Sequence, residues 1–290
     1  MAFRYTDANF TEQVIGPNLG CQGPVIRAEV GDKVRVVYRN LCSFPNSLHT
    51  HGMRYHKLSE AAPYDDNTGP KQKLDDSVEP GDSYVYNFEI PEQSGPGPND
   101  GSSVMWMYHS HTNEMSDTYA GLMGPMIVTG YGLANPDGSP KDVELEIFQL
   151  WSIMDESKSP YFEDNVATAN DEVDVEELLE DEEFEESNLM HSVNGYVFGN
   201  GPVNTMCLGQ RVRWYESAMG SEMDLHTPHW HGETLLVFGR RRDVVDLIPA
   251  TMVIADMSPQ NPGLWMQHCH VDDHLIAGMI LTFQVTRMCQ

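Results

Sequence analysis

Residues 23–35, GPVIRAEVGDKVR, align without a gap to residues 201–213, GPVNTMCLGQRVR, keeping Gly-Pro-Val, a later Gly and a closing Val-Arg. The features downstream repeat in the same order. HTHG at 49–52 is answered by HWHG at 229–232, and WMYHSH at 106–111 by WMQHCH at 265–270. Self-similarity of this kind marks a duplicated unit, so the chain reads as two homologous domains. With 290 residues, each domain is large enough for its own core.

Within the units, short runs such as PVIRAEV (24–30), KVRVVYR (33–39), SYVYNFE (83–89), VELEIFQL (143–150) and MILTFQV (279–285) are rich in β-branched and aromatic residues. They are bounded by Gly, Pro, Asn or Asp, which is the punctuation of strands. Few segments hold a helical period. The pattern predicts an all-β protein of two tandem Greek-key β-sandwiches or barrels, 1–155 and 188–290, joined by a connection over 156–187. That connection contains DEVDVEELLEDEEFEE at 171–186, with 11 acids in 16 residues, and is expected to be solvated and partly disordered.

The net charge of −27 makes nucleic acid an improbable partner. Scarce lysine with abundant Asp and Glu also fits adaptation to high salt, or a field that concentrates a cationic substrate. No apolar run approaches membrane-spanning length, and no charged-then-apolar leader precedes the first strand, so a secreted chain whose signal peptide is already absent is the expectation.

Chemistry concentrates in HCHVDDHLIAGM at 268–279. In a strand alternate side chains point to opposite faces, so Cys269 looks one way and His268 and His270 the other. Thiolate, imidazole and a distant thioether form the ligand set of a mononuclear electron-transfer copper, and the outward histidine pair suits a second copper centre. All of the 12 histidines except His191 lie in or close to four His-x-His clusters. Those four pairs supply eight imidazoles, enough for three coppers, half from each domain. In the first copy Asn46 stands for His226, Ser110 for Cys269 and Leu122 for Met279, which removes the mononuclear site and keeps the histidine pairs. The organisation is that of a four-electron oxidase, with one-electron donors oxidised at one site and dioxygen reduced to water at another.

With Cys269 assigned to copper, Cys21, Cys42, Cys207 and Cys289 remain, two in each domain. Pairing within domains, Cys21 with Cys42 and Cys207 with Cys289, is the simplest reading, with four free thiols as the alternative. Pairing implies an oxidising, extracellular or periplasmic location.

At these residues the chain resembles the multicopper oxidases, of the ceruloplasmin and hephaestin type, reduced to a single two-domain pair. The likeness runs over nearly the whole length through AEVGD (28–32), YHSH (108–111), AGLMGPMIV (120–128), EESNLMHSVNGYVFGN (185–200), MGSEMDLHT (219–227) and the final copper run. It implies cupredoxin-like domains and four coppers per chain. His226, Cys269, His274 and Met279 would hold the type 1 copper. His49 and His229 would hold the type 2 copper, and His51, His109, His111, His231, His268 and His270 the two type 3 coppers. It further implies a homotrimer whose three copper clusters lie between subunits, with a cluster inside one chain as the competing possibility. By the same resemblance Glu186, His191, Asp273 and Glu222, the last open to supply from a neighbouring chain, would bind Fe(II) as the donor. Lys57, Gln72, Asp75 and Asp76 have the spacing of a calcium site in such proteins; an ordinary polar turn is the plain alternative.

A ferroxidase is therefore the leading expectation. A laccase-like oxidase of phenolic or organic donors is next. A copper nitrite reductase is disfavoured because that group keeps its mononuclear copper in the first domain. A non-catalytic copper-binding module is disfavoured because all twelve ligand positions are retained.

Overall fold

The computed structural model describes residues 2–14, 19–169 and 173–288. Strands β1 Ile26–Glu29, β2 Lys33–Arg39, β3 His49–Thr50, β4 Arg54–Tyr55, β5 Ser83–Glu89, β6 Ser103–His109 and β7 Met123–Thr129 form the N-terminal part. There follow β8 Leu145–Asp155, β9 Leu189–Val193, β10 Asn204–Cys207, β11 Val212–Ala218 and β12 Pro228–Trp230. The last strands are β13 Leu235–Val237, β14 Arg240–Arg242, β15 Met252–Met257, β16 Gly263–Cys269 and β17 Ile280–Thr286. Short helices lie between them: α1 Glu114–Tyr119, α2 Phe162–Ala169, α3 Val175–Leu179, α4 Glu182–Asn188 and α5 Asp272–Ile276.

The sheets repeat as the sequence does. A β1-β7-β6-β3 sheet faces a β2-β5-β4 sheet in the first unit, and a β10-β17-β16-β12 sheet faces a β14-β13-β15-β11-β8-β9 sheet in the second. In each copy the strand opening on Gly-Pro-Val runs parallel to the last strand of its unit, β1 to β7 and β10 to β17. Alternation decides what each face meets. From β6, Val104, Trp106 and Tyr108 turn into the first core with Tyr86 and Phe88. Met105 and Met107 turn the other way and pack on Phe148, Leu150, Met154 and Tyr215 of the second unit.

Polar groups fasten that junction. Arg27 makes a bidentate pair with Glu146 at 2.8 and 3.0 Å. Arg213, only 2% exposed, donates to Asp256 at 2.7 Å and to Ser103 at 2.8 Å. Its guanidinium lies over Gly101, where a Cβ would come within 2.2 Å of Nη2, so a side chain there would displace the arginine.

Three expectations change. Residues 145–155, assigned above to the first unit, form β8, which hydrogen-bonds β11 and β9 inside the six-stranded sheet. The strand is buried along nearly its whole length because both its faces are covered: Ile147, Trp151 and Ile153 enter the second core, and Phe148, Leu150 and Met154 the junction. The acidic connection, expected as loose chain, forms short helices in which the Asp174 and Asp181 carboxylates accept the first amides of α3 and α4; residues 170–172 lie outside the described residues. Cys21 and Cys42 are free thiols and not a pair. Cys21 packs beside Gly195, whereas Cys42 follows Asn40 and faces Tyr161, so the two occupy different surroundings. Cys289, the partner expected for Cys207, lies outside the described residues. No helix among the described residues is long and apolar enough to cross a membrane.

One buried acid sets a pH dependence. Glu216 on β11 is 0% exposed, accepts from the Trp151 indole N–H at 2.6 Å and faces the Gln149 amide. Burial pushes its carboxyl up to about 8. An acid whose folded value exceeds the unfolded one, about 4.3, holds a proton the unfolded chain has released, so stability falls as pH rises between the two values. Glu216→Gln should therefore gain on the native protein between pH 5 and 8, by about 1.4 kcal/mol per pH unit, in urea midpoints. Parallel pH curves for the two proteins would refute this.

Candidate metal centres

His226, Cys269 and His274 meet with their ligand atoms all within 4.8 Å of one another. Cys269 ends β16, α5 presents His274, and a left-handed Gly278 (φ +105°) turns the chain so that Met279 starts back toward β17. The turn is locked by Cys269 N–H donating to the Met279 carbonyl at 3.1 Å and Met279 N–H to the His274 carbonyl at 2.9 Å. Cys269 and Met279 are both 0% exposed. The two Nδ1 atoms of His226 and His274 stand 3.2 Å apart, and Cys269 Sγ lies 3.6 Å from His274 Nδ1. Burial alone would raise the thiol, but His226, His274 and the amides of Thr227 and Val271 outweigh it and bring Cys269 down to about 6. This is a thiolate held ready for a cation.

Asp224 completes the site and escaped the sequence reading. Its carboxylate is 1% exposed, accepts from Ile153 N–H and Ser221 N–H at 2.7 Å each, and lies 3.2 Å from His226 Nε2. That contact keeps the Nε2 proton on the Asp224 side and leaves Nδ1 facing the thiolate. The signal was the Asp-Leu-His spacing, two residues ahead of the ligand.

The eight histidines of the four His-x-His pairs form two copies of one arrangement. In the first, His49 and His109 are cross-strand partners, His51 Nε2 lies 3.0 Å from His109 Nε2, and the His111 ring meets that of His49 edge-on at 5.1 Å. In the second, His229 and His268 are cross-strand partners, His231 Nε2 lies 3.1 Å from His268 Nε2, and His270 is 5.6 Å from His229. Backbone carbonyls occupy the Nδ1 atoms: Glu60 for His49, Ser110 for His109, Asp243 for His229 and Cys269 for His268. The Nε2 atoms are thereby aimed at shared space, the geometry metal-binding imidazoles take. Burial and neighbouring rings push His51 and His109 down to about 4, which keeps them neutral and able to ligate. The glycine of the first His-x-His-Gly earns its place sterically: Gly52 is left-handed (φ +70°), and a Cβ there would lie 2.1 Å from the Trp106 ring. Among the described residues, the hydrogen bonds and ring contacts between these eight histidines stay within each set of four, so each set is half of something.

In the first domain, the place of the mononuclear site is filled by polar bonds. Asn46 accepts from the Tyr38 hydroxyl at 2.5 Å and donates to Asn40 at 3.0 Å. Ser110 donates to Asp117 at 2.5 Å and accepts from Ser47 N–H at 3.0 Å. Counting back from Ala-Gly at 120–121 and 277–278, Asp117 stands where His274 does. Every ligand position has thus been replaced, and the replacements satisfy one another.

The residues expected to take iron are brought only partly together. His191, 9% exposed, packs its ring 5.1 Å from that of His274, and its buried Nδ1 has no partner. Burial and the neighbouring His274 push His191 down, while the Glu186 charge opposes them. Glu222 and Asp273 are exposed at the rim, and among the described residues no hydrogen bond or ion pair joins them to Glu186. Of the expected calcium residues, Asp75 and Asp76 are 0% and 4% exposed and each keeps an Oδ1 without a partner. Burial raises both, and the Asp75 charge raises Asp76 further, a cost that a bound cation would relieve. Gln72 is exposed with its amide oxygen toward Gly69 N–H, and Lys57 Nζ pairs with Glu60 and Asp66.

Comparison with known proteins agrees with this geometry. Two sequence profiles, each described as multicopper oxidase, match residues 3–131 and 169–288. The chain is 41% identical over 287 residues to the Homo sapiens protein named Ferroxidase HEPHL1, covering 97% of this chain and 24% of that one. It is 42% identical over 283 residues to Homo sapiens ceruloplasmin, covering 97% and 26%. The chain thus spans about a quarter of the length of these relatives. A solved structure, multicopper oxidase mgLAC, superposes with a TM-score of 0.64 at 23% identity, over 96% of this chain and 81% of that one. That likeness carries the fold, two tandem cupredoxin-like β domains.

Proposed function

Because the chain belongs to the multicopper oxidase family, we propose that it couples one-electron oxidation of Fe(II) to the four-electron reduction of dioxygen to water. Copper bound by His226, Cys269, His274 and Met279 would accept single electrons, and copper held by the eight paired histidines would reduce dioxygen. The observation that carries the reading is the last turn of β16, where the Cys269 side chain enters one centre while its own backbone joins His268 and His270 of the other. Cys269 thereby offers a covalent path between centres, and Asp224 fixes the imidazole facing it.

Iron is favoured over an organic donor because the approach to His274 carries His191 with an unpartnered buried nitrogen, the negative charge of Glu186 acting on it, and the exposed Asp273 and Glu222. Anionic oxygen ligands favour ferric over ferrous ion and so assist electron loss. Glu186→Ala, His191→Ala and Asp273→Ala should each lower kcat/KM for Fe(II) by about tenfold or more and leave oxidation of a phenolic dye unchanged. If both donors lose equally, the iron assignment is withdrawn and a laccase-like oxidase takes its place.

The oligomer belongs to the same proposal: a homotrimer in which the first domain's histidines of one chain meet the second domain's of the next. Two differences between the copies support it. Met105 and Met107 are buried against the second domain, yet their counterparts Leu264 and Met266 are 63% and 38% exposed. Arg213 is buried at the junction, yet its counterpart Arg35 is exposed on β2. Repeating the internal junction between chains would cover both and close a ring. Calcium at Asp75 and Asp76 is a further element; added calcium should raise Tm, and Asp76→Asn should remove the response. An extracellular or periplasmic location rests on the family resemblance and on the disulfide-bonded Cys207, while Cys21 and Cys42, unpaired, add nothing to it.

A further inference from the structure

A cavity of about 200 Å³ opens at the junction of the two domains, and none of the copper-facing residues lines it. Cys21 and Tyr119 wall it from the first domain, and Met154, Glu156, Met190 and Gly195 from the second. Met154 and Met190 are direct partners across β8 and β9, so their side chains leave one face of the sheet side by side. Cys21 approaches from the opposite domain, its amide donating to the Asn194 carbonyl at 3.0 Å. The thiol fits because position 195 has no side chain. A Cβ on Gly195 would sit 3.1 Å from the Cys21 Cβ and 3.4 Å from its sulfur, and φ of +78° disfavours any other residue.

We propose that this cavity is a binding site for a soft monovalent metal, Cu(I) or Ag(I), held by the sulfurs of Cys21, Met154 and Met190. Thiolate and thioether donors select monovalent copper, whereas the harder divalent ions prefer oxygen and nitrogen. Binding breaks the Cys21 S–H bond, forms a sulfur–metal bond and releases one proton, with no electron transferred. Burial pushes the free thiol up to about 11, so metal and proton compete directly at neutral pH. The exposed Glu156 carboxylate stands at the rim, where the proton leaves. The site is chemically unlike the imidazole-rich centres and spatially distinct from them. Met190 and His191 are adjacent on β9 and point to opposite faces, so one strand separates the three sulfurs from the His274 side. A cuprous ion held here would be stored next to the centre that uses copper.

The test uses the full copper-loaded chain carrying Cys42→Ser, so that the other free thiol of the first domain does not compete. Titrated with silver nitrate in chloride-free buffer and desalted, it should retain one more Ag(I) per chain than the same protein with Cys21→Ser. Met154→Leu and Met190→Leu should each weaken that binding by about tenfold or more. Equal retention in the Cys21→Ser protein overturns the site. So does full affinity in both methionine variants, which would mean a thiol binding silver by itself. A readout free of cavity substitutions guards against misfolding: one equivalent of Ag(I) should protect Cys21 from iodoacetamide by about tenfold or more, mapped by mass spectrometry. Unchanged alkylation refutes the proposal.

Discussion

Cys269→Ser should reduce oxidation of every donor to the uncatalysed background and remove one copper per chain, leaving the others bound. The chain contains its own control for this substitution. At the equivalent position of the first domain Ser110 is buried and bonds Asp117 and Ser47. Serine at 269 should therefore fold, since the surrounding strands and turn are duplicates of one that already carries it. It should not ligate, because a hydroxyl lacks the low pKa that His226, His274 and two amides give the thiol. Loss of the thiolate also cuts the covalent path from the mononuclear centre to His268 and His270, so the dioxygen-reducing histidines receive no electrons even if fully metallated. Metal analysis beside oxygen uptake separates the two effects. Residual turnover at constant copper content would mean that electrons reach the cluster by another route.

What could be read from residue order, and what could not, follows from how each feature is built. The histidine pairs and the Cys269 run were legible because ligand, strand alternation and turn all lie within a dozen residues, and because the degenerate first copy marked which positions matter. The duplication gave two domains for the same reason. The assignment of β8 was not legible. An apolar run looks alike whether it closes one sheet or opens the next, and its hydrogen-bond partner β11 is more than fifty residues away in sequence. Asp224 was overlooked because the Asp-Leu-His spacing is one weak signal among forty-four acids, and only the fold buries it against His226. Asp117 was obscured by the longer HSH-to-Ala-Gly spacing of the first copy, which shifts it out of register with His274. Cysteine number misled about one pairing: Cys207 is disulfide-bonded, but Cys21 and Cys42 are free. Cys21 and Cys42 lie close in sequence, yet the strands between them carry the thiols to different surroundings.

The second large effect concerns assembly. On the proposed assembly, Leu264→Glu combined with Met266→Glu should leave monomers in place of the trimer and, in the same protein, lower copper from the proposed four per chain to one. Both residues leave the outer face of β16, the face that in β6 buries Met105 and Met107 against the second domain. Covering a leucine and a methionine is worth about 1.5–3 kcal/mol each. Burying carboxylates there instead costs several kcal/mol, enough to part a contact repeated three times in a ring. The copper loss follows from geometry. Each set of four histidines is open, and neither finds its complement within its own chain among the described contacts, whereas His226, Cys269 and His274 are complete in one domain. Arg35→Glu, on the surface that would receive β16, should give the same monomer with the same single copper. A head-to-tail contact makes one further demand. Mixing the two variants restores one unblemished pair of surfaces, the intact Arg35 of the first protein against the intact Leu264 and Met266 of the second, so the mixture should yield dimers with one rebuilt cluster where either alone stays monomeric. Sedimentation velocity with metal analysis of each species reads both quantities together. A native protein that is monomeric with four coppers, or variants that lose the trimer and keep all four, would place the cluster inside one chain.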